Sequence, residues 1–223
     1  MADDLASRLS SVGALTEPAR RDLYLYVVGQ PTPVSRDQAA ADTGLPRHAV
    51  KFHLDRLVDE GLLEVEYRRL TGRQGPGAGR PSKLYRRAAR EISVSLPERR
   101  YELVGRIFAD AIRDAAAGQP IGPAVTHAAA DAGRRVVATT GSASATDLLR
   151  SCGYEPRTVA DRVILVNCPF HALAAEHTDL VCGVNLAFIR ALTDELGLDN
   201  VDVRLDPAPD RCCVTLQSPP AAP

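Results

Sequence analysis

Tryptophan is absent from this chain, methionine occurs once, and aromatic residues make up only 4% of its 223 residues. A core built without large rings must rest on Ala, Leu and Val. Hydrophobic residues at 45% and charged residues at 25% give an ordinary globular balance that can bury such a core. Apolar runs of about 18 residues or more are missing, which excludes a spanning helix. The opening "MADDLASRLSSVG" lacks the basic start and apolar stretch of a secretory leader. The expectation is a soluble, cytoplasmic protein with no membrane partner. In that reducing setting the five cysteines read as free thiols, metal ligands or a redox device before they read as structural disulfides.

The length allows two modest domains or one larger one. A net charge of −1 conceals a polarity. Between Glu66 and Arg90 there are eight basic residues and one acidic residue, a local charge of +7 that leaves −8 for the remainder. A basic block on an otherwise acidic chain implies a polyanion partner at one place only.

The apolar pattern explains where that block sits. "EPARRDLYLYVVGQ" (residues 17–30) predicts a helix with a broad face of Leu23, Tyr24, Tyr26, Val27 and Val28. After a Pro-rich turn, Ser35 is a good N-cap for the short helix "RDQAAADTG", which Gly44 stops. "GLP" leads into "RHAVKFHLDRLVDEG", with Val50, Leu54 and Leu57 on one face and Gly61 at the end. "LLEVEY" then alternates as a strand. Helix, helix, turn, helix, strand is the order of a winged helix-turn-helix, whose third helix enters the major groove N-terminus first. Its exposed positions are Arg47, His48, Lys51 and Phe52, with Arg56 further along, suited to guanine edges, phosphates and thymine methyls. His53 is expected to pack or touch backbone. "RRLTGRQGPGAGRPSKLYRRA" follows as a hairpin wing whose Gly/Pro tip cannot form a core, with Arg73, Arg80 and Lys83 placed to track phosphates.

Residues 15–88 resemble the winged helix-turn-helix of the ArsR-type repressors. "AVKFHLDRLVDEGLLE" followed by "GRPSKLYRRA" is similar to the recognition helix and wing of SufR, the iron–sulfur-responsive repressor family. The resemblance implies a double-stranded DNA operator as partner.

"REISVSLPERR" predicts a short strand broken at Pro97, and Glu98–Ala117 one long helix with an apolar stripe from Leu103 to Ala115. That stripe serves either a subunit's own core or a homodimer seam, the form that palindromic sites favour. Residues 121–137 form an Ala-rich helix. From 145 the order is helix, strand (154–159), strand (162–167), helix (170–176), helix (179–196), strand (200–205) and strand (212–217). The fold class is α+β: a winged helix-turn-helix domain (15–90), a strand and linking helix (91–120), and a sensor domain with a mainly antiparallel sheet (121–217) before a tail (218–223).

"NCPFHALAAEHTDLVC" concentrates two cysteines and two histidines. Cys168 ends a strand, Cys182 opens a long apolar helix, and Cys212 lies on the last strand with Val214 and Leu216. Strand alternation turns Cys213 to the other face with Thr215, so Cys168, Cys182 and Cys212 are the three sulfurs that can converge. This pattern is similar to the three-cysteine signature of SufR-type C-terminal domains, which implies that these three hold an iron–sulfur cluster. His177, with His171 and Cys213 ranked behind it, is the candidate fourth ligand. Thiolate plus imidazole is also a good zinc set, and buried thiols without any ligand, or a small-molecule pocket, remain open readings. Cys152 has no assigned role. A catalytic Cys168–His171 pair lacks an orienting third group and an oxyanion loop, so no enzyme is expected.

Overall fold

The computed structural model describes residues 2–69, 81–141 and 144–217, and the chain divides into two compact units, Met1–Val94 and Ser95–Pro223. The first unit opens with a helix that the apolar pattern does not announce, α1 (Ala2–Gly13), followed by a 3-10 turn at Ala14–Thr16. Ser11 on α1 is buried, and its hydroxyl donates to the Glu60 carbonyl at 2.8 Å and to the Ser7 carbonyl at 3.0 Å. A carbonyl at the end of a later helix is thereby satisfied.

Helix α2 (Pro18–Val28) begins at a Glu17 cap, whose carboxylate accepts from the backbone of Ala19 and Arg20 at 3.2 and 2.7 Å. Strand β1 (Val34–Ser35) leads into α3 (Arg36–Thr43), where the Ser35 hydroxyl accepts from the Gln38 N–H at 3.1 Å. Gly44 ends α3 at a φ of 71°, a left-handed position that Gly occupies without steric cost. Helix α4 (Arg47–Asp59) buries Val50, Leu54 and Leu57. Strands β2 (Leu63–Arg68) and β3 (Ser82–Arg87) pair antiparallel from Leu63↔Arg87 to Arg68↔Ser82, and the sheet order is β1-β3-β2. Leu23, Val27, Val34, Ala39, Leu63 and Tyr85 complete this core.

No strand forms at residues 91–96, contrary to the alternation there. Among the described residues that segment has no strand partner, and Ile92 is instead packed against the first core.

In the second unit α5 (Tyr101–Ala116) starts three residues later than the periodicity suggests. Its approach is held in irregular backbone: the Arg100 N–H donates to the Pro169 carbonyl at 3.0 Å, and the Asn167 amide donates to the carbonyls of Glu98 and Gly153 at 2.8 and 2.7 Å. Val104, Ile107 and Ala111 of α5 are buried in the unit's own core, while Ile112 is 63% exposed. Most of the stripe is therefore spent inside one subunit.

Helix α6 (Ile121–Thr140) presents Ala124, Ala128, Ala129, Ala132 and Gly133 to the core. A Cβ at Gly133 would stand 2.3 Å from the Phe188 carbonyl oxygen, so only glycine permits this close a helix approach. The chain then runs through α7 (Ala145–Ser151), β4 (Pro156–Val159), β5 (Arg162–Leu165), α8 (His171–Glu176), α9 (Thr178–Glu195), β6 (Asp202–Leu205) and β7 (Val214–Gln217). The four strands lie in the order β4-β5-β7-β6, every neighbouring pair antiparallel. Helices beside an antiparallel sheet make this an α+β unit, as the pattern implied.

Candidate functional site

The first unit carries an exposed basic face. On α4, Arg47, His48, Lys51, Phe52 and Arg56 are all exposed, Phe52 to 63%. The reason is helical spacing: Val50, Leu54 and Leu57 take the core side, so these residues fall on the other. His53 is half-buried; its Nδ1 lies 3.5 Å from the Glu17 carboxylate and its ring meets that of Phe52 edge-on.

Several of these cations already have partners. Arg47 is paired with Asp37 of α3, and Arg56 with Glu60 at 2.5 Å. Lys83 on β3 sits 2.5 Å from Asp55 of α4 and over the Tyr85 ring, while the Tyr85 hydroxyl donates to the same carboxylate at 2.9 Å. Burial pushes the Asp55 carboxyl up, but the donors Lys83 and Tyr85 outweigh it and hold the group below the ordinary aspartate range. Lys83, expected as a phosphate contact, is thus also a tie between α4 and the hairpin. Arg73 and Arg80, the other expected wing contacts, lie outside the described residues.

The second unit gathers four of its five cysteines. Cys168, Cys182, Cys212 and Cys213 line one open cleft of about 220 Å³, together with His171, Thr178 and Arg211. Cys168 follows β5, Cys182 is in the first turns of α9, and the 212–213 pair precedes β7. Cys213 departs from its expected outward direction. Strand alternation does not reach it, because β7 begins only at Val214. The Cys212 N–H is spent on the Leu165 carbonyl at 2.8 Å and the Cys213 carbonyl on Asp206 N–H at 2.7 Å. This irregular stretch lets both sulfurs face the cleft.

The histidines also separate. His171 lines the cleft, whereas His177, ranked first as a fourth ligand, is exposed at the junction of α8 and α9 and is not among the lining residues. The break between the two helices turns it outward. Cys152 is buried beside Ser151, away from the cleft lining.

The four sulfurs lie near enough to shift one another's ionisation, Cys168 with Cys212, Cys212 with Cys213, and Cys213 with Cys182. The Cys212 thiol, the Phe170 N–H, the Asn185 amide and the Arg99 charge lower Cys168 to about 6 against burial. Cys213, bonded by the thiols of Cys212 and Cys182, falls to about 7. Cys212 is pushed up by its two sulfur neighbours, and Cys182 by burial and then by Cys213. The cluster alternates good thiolates with good donors, which is the condition for reactive sulfur. Among the described residues no group of three or more His, Cys, Asp or Glu side chains has the spacing to hold a metal ion. Four soft sulfur donors on one cleft suit the chemistry of an iron–sulfur cluster and of zinc alike.

Asn185 was not singled out from the sequence. It is 0% exposed, and its amide nitrogen stands 3.6 Å from Cys168 Sγ and 3.7 Å from Cys212 Sγ. The signal was present in "LVCGVNLAFI", a lone amide three residues after Cys182 on a helix otherwise apolar at that point.

No helix among the described residues is long and apolar enough to cross a membrane. No curated protein and no solved structure matches the chain. Residues 15–66, which hold α2, α3, α4 and the start of β2, match the sequence model of a family described as a helix-turn-helix domain. That match, with the exposed basic face of α4, supports a DNA-binding transcription regulator with a helix-turn-helix domain over these residues.

Proposed function

We propose that the protein is a homodimeric repressor whose C-terminal cysteine cluster senses iron–sulfur or redox status and adjusts the affinity of α4 for its operator. The observation that carries this reading is the gathering of Cys168, Cys182, Cys212 and Cys213 on one open cleft. A regulator that needed only a stable core would bury such thiols singly. Here all four line the same cleft, Cys168 and Cys213 half-buried and Cys182 and Cys212 buried beside them.

Cys168, Cys182 and Cys212 would hold an iron–sulfur cluster, with Cys213 or His171 in reach of the remaining position. The bound cluster would supply one-electron chemistry and a labile iron. The chain's own groups do the rest: Phe170 N–H and Asn185 direct donors at sulfur, and Arg99 places positive charge near Cys168. Loading or oxidation of the cleft would then shift the dimer between arrangements of different DNA affinity.

The test is anaerobic purification of the full chain, with iron, sulfide and zinc measured per chain, and DNA affinity measured before and after air exposure. Iron and sulfide near one site per chain, with an affinity change on exposure, are the expected results. Protein with neither iron nor zinc, or with an affinity indifferent to exposure, would end the sensing proposal. Size measurement in solution tests the dimer.

A further inference from the structure

We propose that Asn185 is the positioning residue of the sulfur cluster: its amide gives one N–H to Cys168 and one to Cys212, and so fixes where both sulfurs stand on the cleft. Three observations carry this. Asn185 Nδ2 stands 3.6 Å from Cys168 Sγ and 3.7 Å from Cys212 Sγ. The Tyr154 hydroxyl donates to Asn185 Oδ1 at 2.6 Å, which fixes which end of the amide meets sulfur. Both residues are buried in the apolar core of the second unit, where no water competes for the amide.

A buried primary amide costs free energy unless both of its N–H groups find acceptors. A neutral thiol is a weak acceptor, whereas a thiolate or a metal-bound sulfur is a strong one. An amide aimed at two sulfurs in an apolar core therefore suits a site where both serve as acceptors, as sulfurs bound to a soft metal would. Tyr154 itself stays a donor, because burial and then the nearby sulfurs push its hydroxyl well above the ordinary tyrosine range. The amide serves Cys168 and Cys212 from one side and leaves their other lone pairs to the cleft, where a soft metal or an electrophile can approach.

This inference deepens the proposed sensing role and rests on it for its biological purpose, but its test does not depend on a cluster. The full-length protein, reduced and freed of metal, is alkylated with iodoacetamide at mildly acidic pH, and each cysteine is followed by peptide mass spectrometry. Asn185→Asp keeps the acceptor for Tyr154 and removes both donors; Asn185→Leu removes donors and acceptor without adding charge. In both variants Cys168 should react roughly tenfold more slowly, because its sulfur loses the donor that holds it toward the cleft. Cys152, buried in the same core without a bond to Asn185, is the internal reference and should keep its rate. Tyr154→Phe should slow Cys168 by less, because the donors remain and only their orientation is loosened.

An unchanged Cys168 rate in both Asn185 variants overturns the proposal. So does a faster rate at Cys168 and Cys152 together, which is what a merely structural asparagine would produce by loosening the core. Iron and sulfide contents of the same preparations judge the cluster reading by themselves, and the alkylation ratio decides Asn185 whatever they show.

Discussion

Removing Lys51 and Arg47 from the exposed face of α4 should not have equal effects, although both are cations in the first two turns. Arg47 is engaged with Asp37. Among the described residues Lys51 has only a longer-range attraction to Asp55, whose direct partners are Lys83 and Tyr85. Lys51→Ala should therefore cost the full value of a groove contact, about 1–3 kcal/mol, if it reads a base, with relaxed preference at that position. Arg47 must leave Asp37 to reach DNA. An exposed pair of this kind contributes about 0.2–1 kcal/mol, so Arg47→Ala should cost less than Lys51→Ala by roughly that amount. The same reasoning predicts that Asp37→Asn tightens binding, by roughly 0.2–1 kcal/mol, since it frees the guanidinium and removes an anion near phosphate. Fluorescence anisotropy on a duplex selected from a random pool, at one fixed salt concentration, measures all three. Unchanged affinity in Lys51→Ala and Arg47→Ala, or weaker binding in Asp37→Asn, would refute the placement of this face against DNA.

Neutralising Arg73, Arg80 and Lys83 should weaken binding to all sequences alike and reduce the slope of log affinity against log salt by about 0.9 for each phosphate no longer neutralised; an unaltered slope assigns the basic block another task. Ser replacements at Cys168, Cys182 or Cys212 should each abolish iron and sulfide retention, while Cys152→Ser should not, because a hydroxyl is a poor soft ligand; retention in all three Ser variants would refute the ligand set. Gly133→Ala should destabilise the second unit by about 1–3 kcal/mol, read as a lower thermal midpoint, because the added methyl meets the Phe188 carbonyl. The Asp55–Lys83 tie is present above the ordinary aspartate range and is lost as pH falls through the lowered Asp55 value. Being about one-third exposed, it should contribute under about 1 kcal/mol, so acid unfolding of Asp55→Asn should lack that small component.

The helix-turn-helix order was legible because each signal is local. Ser35 caps, Gly44 stops, and Val50, Leu54 and Leu57 repeat at helical spacing, so the chain needs no distant partner to set those boundaries. The exposed residues of α4 then follow as the complement of its buried ones. The α+β order of the second unit was legible for the same reason. Helix α1 was not, since part of what anchors it is the Ser11 bond to Glu60, 49 residues away. The expected strand at 91–96 failed in the opposite sense: alternation was present, but strand pairing is a tertiary event.

For the cysteines, the sequence by itself put Cys168 at a strand end, Cys182 at a helix start and Cys212 on a last strand, which begins only at Val214. Only the tertiary structure decided that Cys213 joins them, that His171 and not His177 lines the cleft, and that Asn185 reaches two of the sulfurs. The physical reason is that alternation and helical period give direction only inside regular elements. These side chains lie just outside such elements or meet across them, where direction is set by what the neighbouring backbone must bond: Leu165 with Cys212, Asp206 with Cys213, and Tyr154 with Asn185.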